Sequence, residues 1–283
     1  MELWLDEELE LKEGRALKVR VNKVLESFQT KYQRLEIVET QSFGRMFLLD
    51  GVIMFTDRDE FCYHEMIAHV PMMSHPKPEK VLIVGGGDGG ALREVLKHAS
   101  VKEAIVCDID EKVTEMSKEY FPQLACSFSD CRVRVFHSDG AKFIRDHSES
   151  FDVILVDSTD PVGPGAVLFA KDFYTSIKKA LKPGGIAVTQ AESFQYHKET
   201  ISALYEFIPE VFREYGYYWI SIPTYPSGII GFTFLSDQVN PYSCSPDPKR
   251  LVSDLKYYSL EMHKASFVIP PFAKKFIKTS QIC

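Results

Sequence analysis

The chain has 283 residues, a length that allows one large domain or one domain with an appendage. Apolar residues make up 45% of it, and 33 Lys and Arg against 40 Asp and Glu give a net charge of −7. This balance is typical of a globular protein and disfavours nucleic acid as a partner, because phosphate binding needs a basic face. A cationic ligand fits the balance better.

Neither a membrane span nor a secretory signal is expected. No apolar run reaches the ~18 residues that cross a bilayer. The opening MELWLDEELE is acidic from its second residue, unlike a signal peptide. The six cysteines contain no C-x-x-C pair, so we expect free, buried thiols. A cytoplasmic location follows from these expectations.

Residues 1–60 are predicted to form a small N-terminal β domain. Stretches rich in Val, Leu, Ile and Phe, with partial alternation, are typical of strands. They lie at 15–30, 32–40 and 44–57. Within the last stretch, LDGV at 49–52 is typical of a tight hairpin turn.

Residues 61–283 are predicted to form a larger α/β domain. At its start, DEFCYHEMIAHV at 59–70 has the period of a half-buried helix, which Pro71 should close. From residue 80 onward, apolar strands alternate with helices, and the tail YYWISIPTYPSGIIGFTFLS indicates two final strands. This alternation predicts a doubly wound parallel sheet with helices on both faces.

Acidic or polar residues follow almost every predicted strand of this sheet. They are Asp88, then Asp108 and Asp110, then Asp139 and Gly140, then Asp157 and Asp160, and finally Gln190 and Glu192. A lone Asp there can simply cap the next helix, and this alternative stays open for Asp110 and Asp139. Ligands bind at the carboxyl ends of parallel strands, where so many like charges destabilise the protein unless a cation or donors meet them.

The glycine-rich stretch VLIVGGGDGGALREVL, at 81–96, indicates which ligand this edge takes. Asp88 in the turn would repel a phosphate, while Asp108, about 20 residues further on, is placed to hold ribose hydroxyls. An adenosine with a cationic reactive end, such as the sulfonium of S-adenosylmethionine, fits both. Asp88 and Asp157 would oppose the carboxylate of that compound, so its decarboxylated form and a cationic acceptor such as a diamine are favoured.

Four motifs together resemble the spermidine synthases, or polyamine aminopropyltransferases. They are VLIVGGGDGGALREVLKH, DEFCYHEMIAHVP, DVILVDSTDPVGPG and IPTYPSGIIGF, and the likeness runs from about residue 2 to about 236, and more loosely to the end. The resemblance implies a methyltransferase-like (Rossmann-like) fold behind an N-terminal β domain. It also implies aminopropyl transfer from decarboxylated S-adenosylmethionine to putrescine, giving spermidine and methylthioadenosine.

The resemblance also implies roles for particular residues. Contacts to the donor would come from Gln33, Asp88, Asp108, Asp139 and Gly140. Asp157 would be the catalytic base, and the acceptor would meet Tyr63, His64, Asp160, Gln190 and Tyr225. In the family an amide often stands at the position of His64. The loop from Ser158 to about Ala170 would be a lid.

Several alternatives remain at this point. The acceptor could be agmatine, cadaverine or spermidine, or the protein could be a putrescine N-methyltransferase or a polyamine-binding protein without activity. No metal is expected, because His64 and His69 are five residues apart rather than the four of a zinc helix. No cofactor is expected besides the co-substrate. The strand-rich N-terminus, whose edges need cover, suggests a homodimer or homotetramer.

Overall fold

Two β-sheets carry the fold of the computed structural model, which describes residues 2–159 and 163–280. The first is an antiparallel sheet in the order β1-β2-β3-β4-β5. Its strands are β1 Leu3–Asp6, β2 Lys18–Gln29, β3 Arg34–Thr40, β4 Gly44–Leu49 and β5 Val52–Thr56. The predicted N-terminal strands are confirmed, except that sequence analysis missed the four-residue β1. Division of the chain into two independent units stays a prediction.

The predicted hairpin turn joins β4 to β5. Asp50 and Gly51 have φ of 50° and 78°, so both central residues are left-handed. Such a pair matches the twist of the flanking strands. The turn therefore sets the register of the adjacent pairs, Leu49 with Val52 and Leu48 with Ile53.

Helix α1, Glu60–Ser74, differs from its prediction in two ways. It continues through Pro71, where the backbone N of His75 still donates to the Pro71 carbonyl at 2.9 Å. It is also buried along its whole length except at Phe61. Because α1 packs in the apolar cluster beneath the second sheet, burial of its last turn outweighs the backbone hydrogen bond that Pro71 cannot donate.

The second sheet has seven strands in the order β11-β12-β10-β9-β6-β7-β8. They are β6 Lys80–Gly85, β7 Glu103–Asp108, β8 Val133–His137, β9 Phe151–Asp157, β10 Leu181–Gln190, β11 Glu214–Ser221 and β12 Ile229–Ser236. β6 to β10 are parallel as predicted, whereas β12 runs antiparallel to both β10 and β11. Only β12 runs in the reverse direction, because a short loop without a crossover helix joins it to β11.

Helices and apolar clusters cover both faces of the seven-stranded sheet. The helices after α1 are α2 Gly90–Leu96, α3 Glu111–Tyr120, α4 Pro122–Ala125, α5 Gly140–Arg145, α6 Lys171–Ala180, α7 Lys198–Val211 and α8 Leu260–Ser266. Along β6, Val81 and Ile83 pack with α1 and α2, while Leu82 and Val84 pack with α6 and α7. This alternation confirms the doubly wound prediction. Among the described residues, no helix combines the length and apolar character needed to cross a bilayer.

The five described cysteines are free thiols, as predicted. Cys62 and Cys107 are buried, but Cys126 and Cys131 are exposed, so the expectation that the thiols are buried is wrong for these two. Both exposed cysteines lie where the chain runs from α4 into β8, Cys126 in a short 3₁₀ helix and Cys131 in the turn that follows. Cys283 lies outside the described residues.

The topology places the candidate site at the centre of the large sheet. The chain moves outward in one direction through β6, β7 and β8 and in the other through β9 and β10. The order therefore reverses between β6 and β9, where an open α/β sheet leaves a crevice at its carboxyl ends. Gly85 is paired with Asp157 across these two strands, so the glycine-rich turn and Asp157 meet at that crevice.

Candidate active site

A cavity of about 410 Å³ lies at these carboxyl ends, with walls from both sheets. Its volume is within the range of small-molecule sites. Of the predicted site residues, those that line it are Gln33, Tyr63, His64, Asp88, Asp108, Asp139, Gly140, Asp157, Gln190 and Tyr225. The tertiary structure thus brings together all the predicted site residues that it describes. Asp160 lies outside the described residues.

The glycine-rich turn packs directly against the end of β9. Gly85 has a φ of 78°, and a Cβ there would collide with the Asp157 carbonyl oxygen. The Gly86 backbone N donates to the same oxygen at 3.0 Å. Glycine is therefore required at Gly85 both for its left-handed conformation and for the close approach of two backbones.

Asp108 at the end of β7 is anchored by backbone donors. Its Oδ2 accepts from the Gly87 N at 2.9 Å, and its Oδ1 accepts from the Asp110 N at 2.9 Å. Removal from water raises the pKa of Asp108 to about 6, although these two hydrogen bonds oppose the rise. Each oxygen keeps a further lone pair, so the fixed carboxylate can still accept from hydroxyl groups in the cavity.

Asp110 and Asp139 both cap helices, which was the alternative left open for them. Asp110 accepts from the Lys112 N at 3.1 Å at the start of α3, and its other oxygen accepts from Thr30 Oγ1 at 2.7 Å and Gln33 Nε2 at 3.1 Å. Asp110 thereby holds Gln33 of the N-terminal sheet. Asp139 accepts from two backbone N–H groups of α5 at 2.8 and 3.1 Å, and still borders the cavity.

His64 is held between two carboxylates. Its Nε2 lies 3.3 Å from Asp88 Oδ1, and its Nδ1 lies 2.7 Å from Glu60 Oε2. Burial alone would lower the pKa of His64, but Asp88 and Glu60 outweigh burial and raise it to about 10. Removal from water would raise the pKa of Asp88, yet His64 and the Gly90 N–H hold it below its usual value. At neutral pH, therefore, His64 is an imidazolium and Asp88 is ionised.

Asp157 has a different charge balance. Removal from water and the nearby Asp88 raise its pKa to about 7, with His64 and the Tyr63 hydroxyl opposing the rise. Its Oδ2 is inaccessible to solvent and has no hydrogen-bond partner among the described residues. A carboxyl group with a pKa near 7 suits a proton acceptor at neutral pH.

The three groups also form a site for positive charge. One nitrogen of His64 and one oxygen each of Asp88 and Asp157 lie within 4.8 Å of one another. With His64 already charged, the two carboxylates still leave the cluster short of positive charge when both are ionised. A cationic group of a ligand would supply it.

Two tyrosines complete this part of the wall. Tyr63 is buried on α1, its ring 5.1 Å from that of Phe232. Tyr225, in the loop between β11 and β12, donates its hydroxyl to the Met54 carbonyl at 2.8 Å and so joins this loop to the N-terminal sheet. Gln190 ends β10 and is buried beside them in the cavity wall.

A second acidic group, made of Glu7, Glu10 and Glu192, also lines the cavity. Sequence analysis did not identify it as a group. Glu7 is fully buried, and burial raises its pKa to about 7 although the backbone N–H groups of Leu9 and Glu10 oppose the rise. His197 bridges Glu10 at 2.6 Å and Glu192 at 2.9 Å. Burial would lower the pKa of His197, but Glu192 and Glu10 raise it to about 9.

These residues were missed because their partners are far apart along the chain. Glu10 and His197 are separated by 187 positions. No local pattern in the acidic N-terminus marks Glu7 or Glu10 as a cavity residue. Glu192 was noted at a strand end, and its position two residues after Gln190 was the one local signal for a role at the cavity.

The predicted lid borders the cavity. Ser158, Thr159, Gly165, Val167 and Leu168 line it, and Gly163–Phe169 forms a short 3₁₀ helix. Residues 160–162 lie outside the described part of the chain. Opening and closing of this segment stays a prediction.

The sheet order, with its reversed β12, and a glycine-rich turn opposite an acidic residue at the end of β7 define the methyltransferase-like class of α/β proteins. Within that class, the sequence model of the spermine/spermidine synthase domain matches residues 60–243, and that of the spermidine synthase tetramerisation domain matches residues 3–57. The chain therefore belongs to the spermine/spermidine synthase family and is an aminopropyltransferase.

Known proteins are similar over nearly the whole chain. A polyamine aminopropyltransferase of Leptospira biflexa is 60% identical over 278 residues, which are 98% of this chain and 99% of that protein. The solved structure of spermidine synthase from Thermotoga maritima has a TM-score of 0.91 at 43% identity, covering 96% of this chain and 93% of that one. A spermidine synthase in complex with the transition-state analogue AdoDATO has a TM-score of 0.93 at 43% identity, covering 96% and 94%.

Proposed function

We propose that the enzyme is a spermidine synthase, which transfers the aminopropyl group of decarboxylated S-adenosylmethionine to putrescine. The products are spermidine and methylthioadenosine. The observation that carries the proposal is the ionised Asp88 beside Asp157, within a site otherwise suited to adenosine. A donor with cationic groups and no carboxylate matches that charge, whereas intact S-adenosylmethionine would bring its own carboxylate to the same acidic wall.

In this proposal the donor lies along the ends of β6, β7 and β8. Asp108 accepts from the ribose hydroxyls, and Gln33, Asp139 and Gly140 contact the rest of the nucleoside. Asp88 faces the ammonium of the aminopropyl group. The backbone bonds that hold Asp108 support this arrangement, because they orient its remaining lone pairs before the donor binds.

The acceptor nitrogen attacks the carbon next to the sulfonium. The new C–N bond forms as the C–S bond breaks, and the sulfur leaves as a neutral thioether with the bonding electron pair. Since an amine has a pKa of roughly 10, it reaches the site protonated and must lose a proton first. Asp157 is proposed to take that proton and Tyr63 to orient it, which the pKa of about 7 of Asp157 and its unpartnered Oδ2 support.

The second acidic group supports a diamine as the acceptor. Glu7, Glu10 and Glu192 outnumber by one the two cations that pair with this group, Arg15 and His197, and no cation pairs with Glu7 among the described residues. A second ammonium on the acceptor would supply the missing charge. His64, Asp160, Gln190 and Tyr225 are proposed to line the path of the diamine.

Product analysis tests the proposal. The protein is incubated with decarboxylated or intact S-adenosylmethionine and with putrescine, cadaverine, agmatine or spermidine, and the products are identified by mass spectrometry. We expect spermidine from putrescine and the decarboxylated donor. Methylated putrescine would identify an N-methyltransferase, a preferred product from another amine would change the acceptor, and no product from any pair would favour a binding protein.

The proposal extends to assembly and location. We infer a homo-oligomer, a dimer or a tetramer, from the match of residues 3–57 to a domain described as a tetramerisation domain. Light scattering on the purified protein measures the mass directly. A cytoplasmic location and a reaction without metal or further cofactor belong to the same proposal, and turnover that is unchanged after treatment with a chelator would support the latter.

A further inference from the structure

Glu60, in the first turn of α1, contacts both the candidate active site and a buried chain of ions. Its two carboxylate oxygens accept from Nη1 and Nη2 of Arg93 at 3.0 and 2.9 Å, a two-pronged contact that fixes the plane of the carboxylate. Its Oε2 also contacts His64 Nδ1 at 2.7 Å. Glu60 is buried at the edge of the cavity, and Arg93 and His64 already contact its carboxylate. Its contact with His64 gives it a route to influence the site.

Arg93 is itself held from the side away from the cavity. Its Nε donates to Glu94 Oε1 at 2.7 Å, and the other oxygen of Glu94 meets His69 Nε2 at 2.9 Å and Lys97 Nζ at 2.7 Å. These ion pairs join α1 to α2. Glu60 is thus held by an arginine that is itself fixed by buried ion pairs, rather than by a mobile side chain at the surface.

The His64 ring is closely packed against α2. A Cβ at Gly90, the first residue of α2, would overlap the ring, so the ring packs directly on the backbone there. With Nδ1 fixed on Glu60, Nε2 points to Asp88 at 3.3 Å. Glu60 and Asp88 together therefore orient the imidazole, with one carboxylate at each ring nitrogen.

We propose that Glu60 is a positioning residue, which keeps His64 charged and directed at Asp88 and thereby keeps Asp157 ready to accept a proton. The inference rests on the proposed role of Asp157 as the base. It concerns a residue that takes no part in the chemistry itself.

The charges around His64 give the direction of the effect. The charged and titratable groups that face His64 and Asp157 are Glu60 and Tyr63 on α1, Asp88 in the glycine-rich turn, Arg93 on α2 and Asp108 at the end of β7. Without the charge of Glu60, the pKa of His64 falls from about 10. A neutral His64 leaves Asp88 and Asp157 facing each other without a cation, which raises the pKa of Asp157 further above its ordinary value.

The test compares Glu60→Gln with Glu94→Gln across pH 6 to 10. Gln keeps the size of Glu60 and can still accept from His64, but it carries no charge. We expect turnover at pH 7 to fall about fivefold and to recover toward the wild-type value near pH 9, because the acid limb of the profile moves up by about one pH unit from a pKa of about 7. Glu94→Gln also removes a buried partner of Arg93 but does not contact His64, so its acid limb should stay at the wild-type pH.

A second measurement follows His64 in the ligand-free protein by NMR, with its signal assigned by its absence in His64→Gln. We expect His64 to stay protonated above pH 8 in the wild type and to titrate at lower pH in Glu60→Gln. A wild-type His64 that is neutral at pH 7 would overturn the inference, even if Glu60→Gln failed to fold. An equal loss of turnover by Glu60→Gln at every pH would also overturn the inference. If the wild type made no aminopropyl product, the proposed function would fail, and the titration would still report on Glu60.

Discussion

At the scale of single residues, the site depends on three carboxyl groups in two charge states. Asp88 is ionised beside the His64 imidazolium, whereas Asp157 and Glu7 both have a pKa raised to about 7. This difference in pKa comes from the partners of each carboxyl group rather than from the extent of its burial. Asp88 has an imidazolium and a backbone N–H as partners, while Glu7 has backbone N–H groups but no cationic partner among the described residues. One cavity can therefore bind a cation with one carboxylate and remove a proton with another.

Asp157→Asn tests the proposed base. Asn keeps the size of the side chain but cannot accept a proton, so turnover should fall ~10²–10⁴-fold. Part of the loss should be recovered at high pH, where the free amine becomes more abundant. Steady-state kinetics across pH 7 to 10 measure this, and calorimetry should show that methylthioadenosine still binds. If Asp157 only bound the cation, the variant would show a higher KM for the diamine with turnover nearly unchanged at saturation.

Glu7→Gln should make the ligand-free protein more stable. A carboxyl group whose pKa rises from 4.5 to about 7 on folding destabilises the folded state once both states are ionised, above pH 7. We expect the free energy of unfolding at pH 8 to rise by about 1–3 kcal/mol, while the KM for a diamine also rises. Denaturant titration and kinetics measure the two effects. Glu8→Gln is the matched control, since Glu8 is exposed; equal stability of Glu7→Gln and the wild type would show that Glu7 carries no buried charge.

At the scale of elements, α1 connects the site to the C-terminal segment. Its Glu65 accepts from the backbone N–H groups of Lys256, Tyr257 and Tyr258 at 2.9, 2.8 and 2.8 Å. Arg250 donates to two carbonyls at the other end of α1, at 2.7 and 2.8 Å. The segment after residue 243, which lies beyond the matched synthase domain, thus holds the helix that carries Tyr63 and His64.

Glu65→Gln should weaken this attachment. A neutral amide replaces a carboxylate that accepts three backbone hydrogen bonds, and its NH₂ group cannot accept any. We expect the free energy of unfolding to fall by about 1.5–3 kcal/mol, the contribution of one hydrogen bond to a charged group. Chemical denaturation measures the change, with Glu261→Gln on α8 as the control. A wild-type midpoint for Glu65→Gln would mean that other contacts hold the segment.

At the scale of the whole molecule, the groups with a raised pKa all change the stability of the fold in the same direction as the pH changes. Glu7 and Asp157, with a pKa of about 7, and His64 and His197, with pKa values of about 10 and 9, all bind protons more tightly in the folded state. For the two carboxyl groups, the free energy of unfolding therefore falls as the pH rises to about 7. For the two histidines, the stabilisation is complete below pH 6.5 and is lost as the pH rises through 9 to 10. His98 has the opposite sign, because burial lowers its pKa to about 3 and its contribution is lost below pH 6.5.

The ligand-free protein should therefore be most stable near pH 6. We expect its Tm to fall steadily from pH 7 to pH 10, because the acidic cavity gains charge while His64 and His197 lose theirs. Bound putrescine and methylthioadenosine should reduce the fall, since the diamine supplies positive charge and both bind the folded state only. Differential scanning calorimetry at several pH values measures this, and a Tm that rises from pH 7 to pH 9 would contradict the charge states assigned here.

The sequence alone determined the order of elements and the acidic edge of the sheet. Asp88, Asp108 and Asp157 could be placed in advance because each directly follows an apolar strand, and parallel strands bring their carboxyl ends together. The Asp50–Gly51 turn was equally local. All of these features depend on neighbours within a few positions, and periodicity and glycine placement record such neighbours directly.

Only the tertiary structure decided the features that depend on distant partners. α1 continues through Pro71 because its last turn is buried, and burial cannot be seen in a local pattern. The contact of Glu10 with His197 joins residues 187 positions apart, and that of Glu60 with Arg93 joins α1 to α2. The pKa values follow the same rule: removal from water and the charges across a cavity set them, so Asp88 and Asp157 look alike in the sequence and differ in the fold.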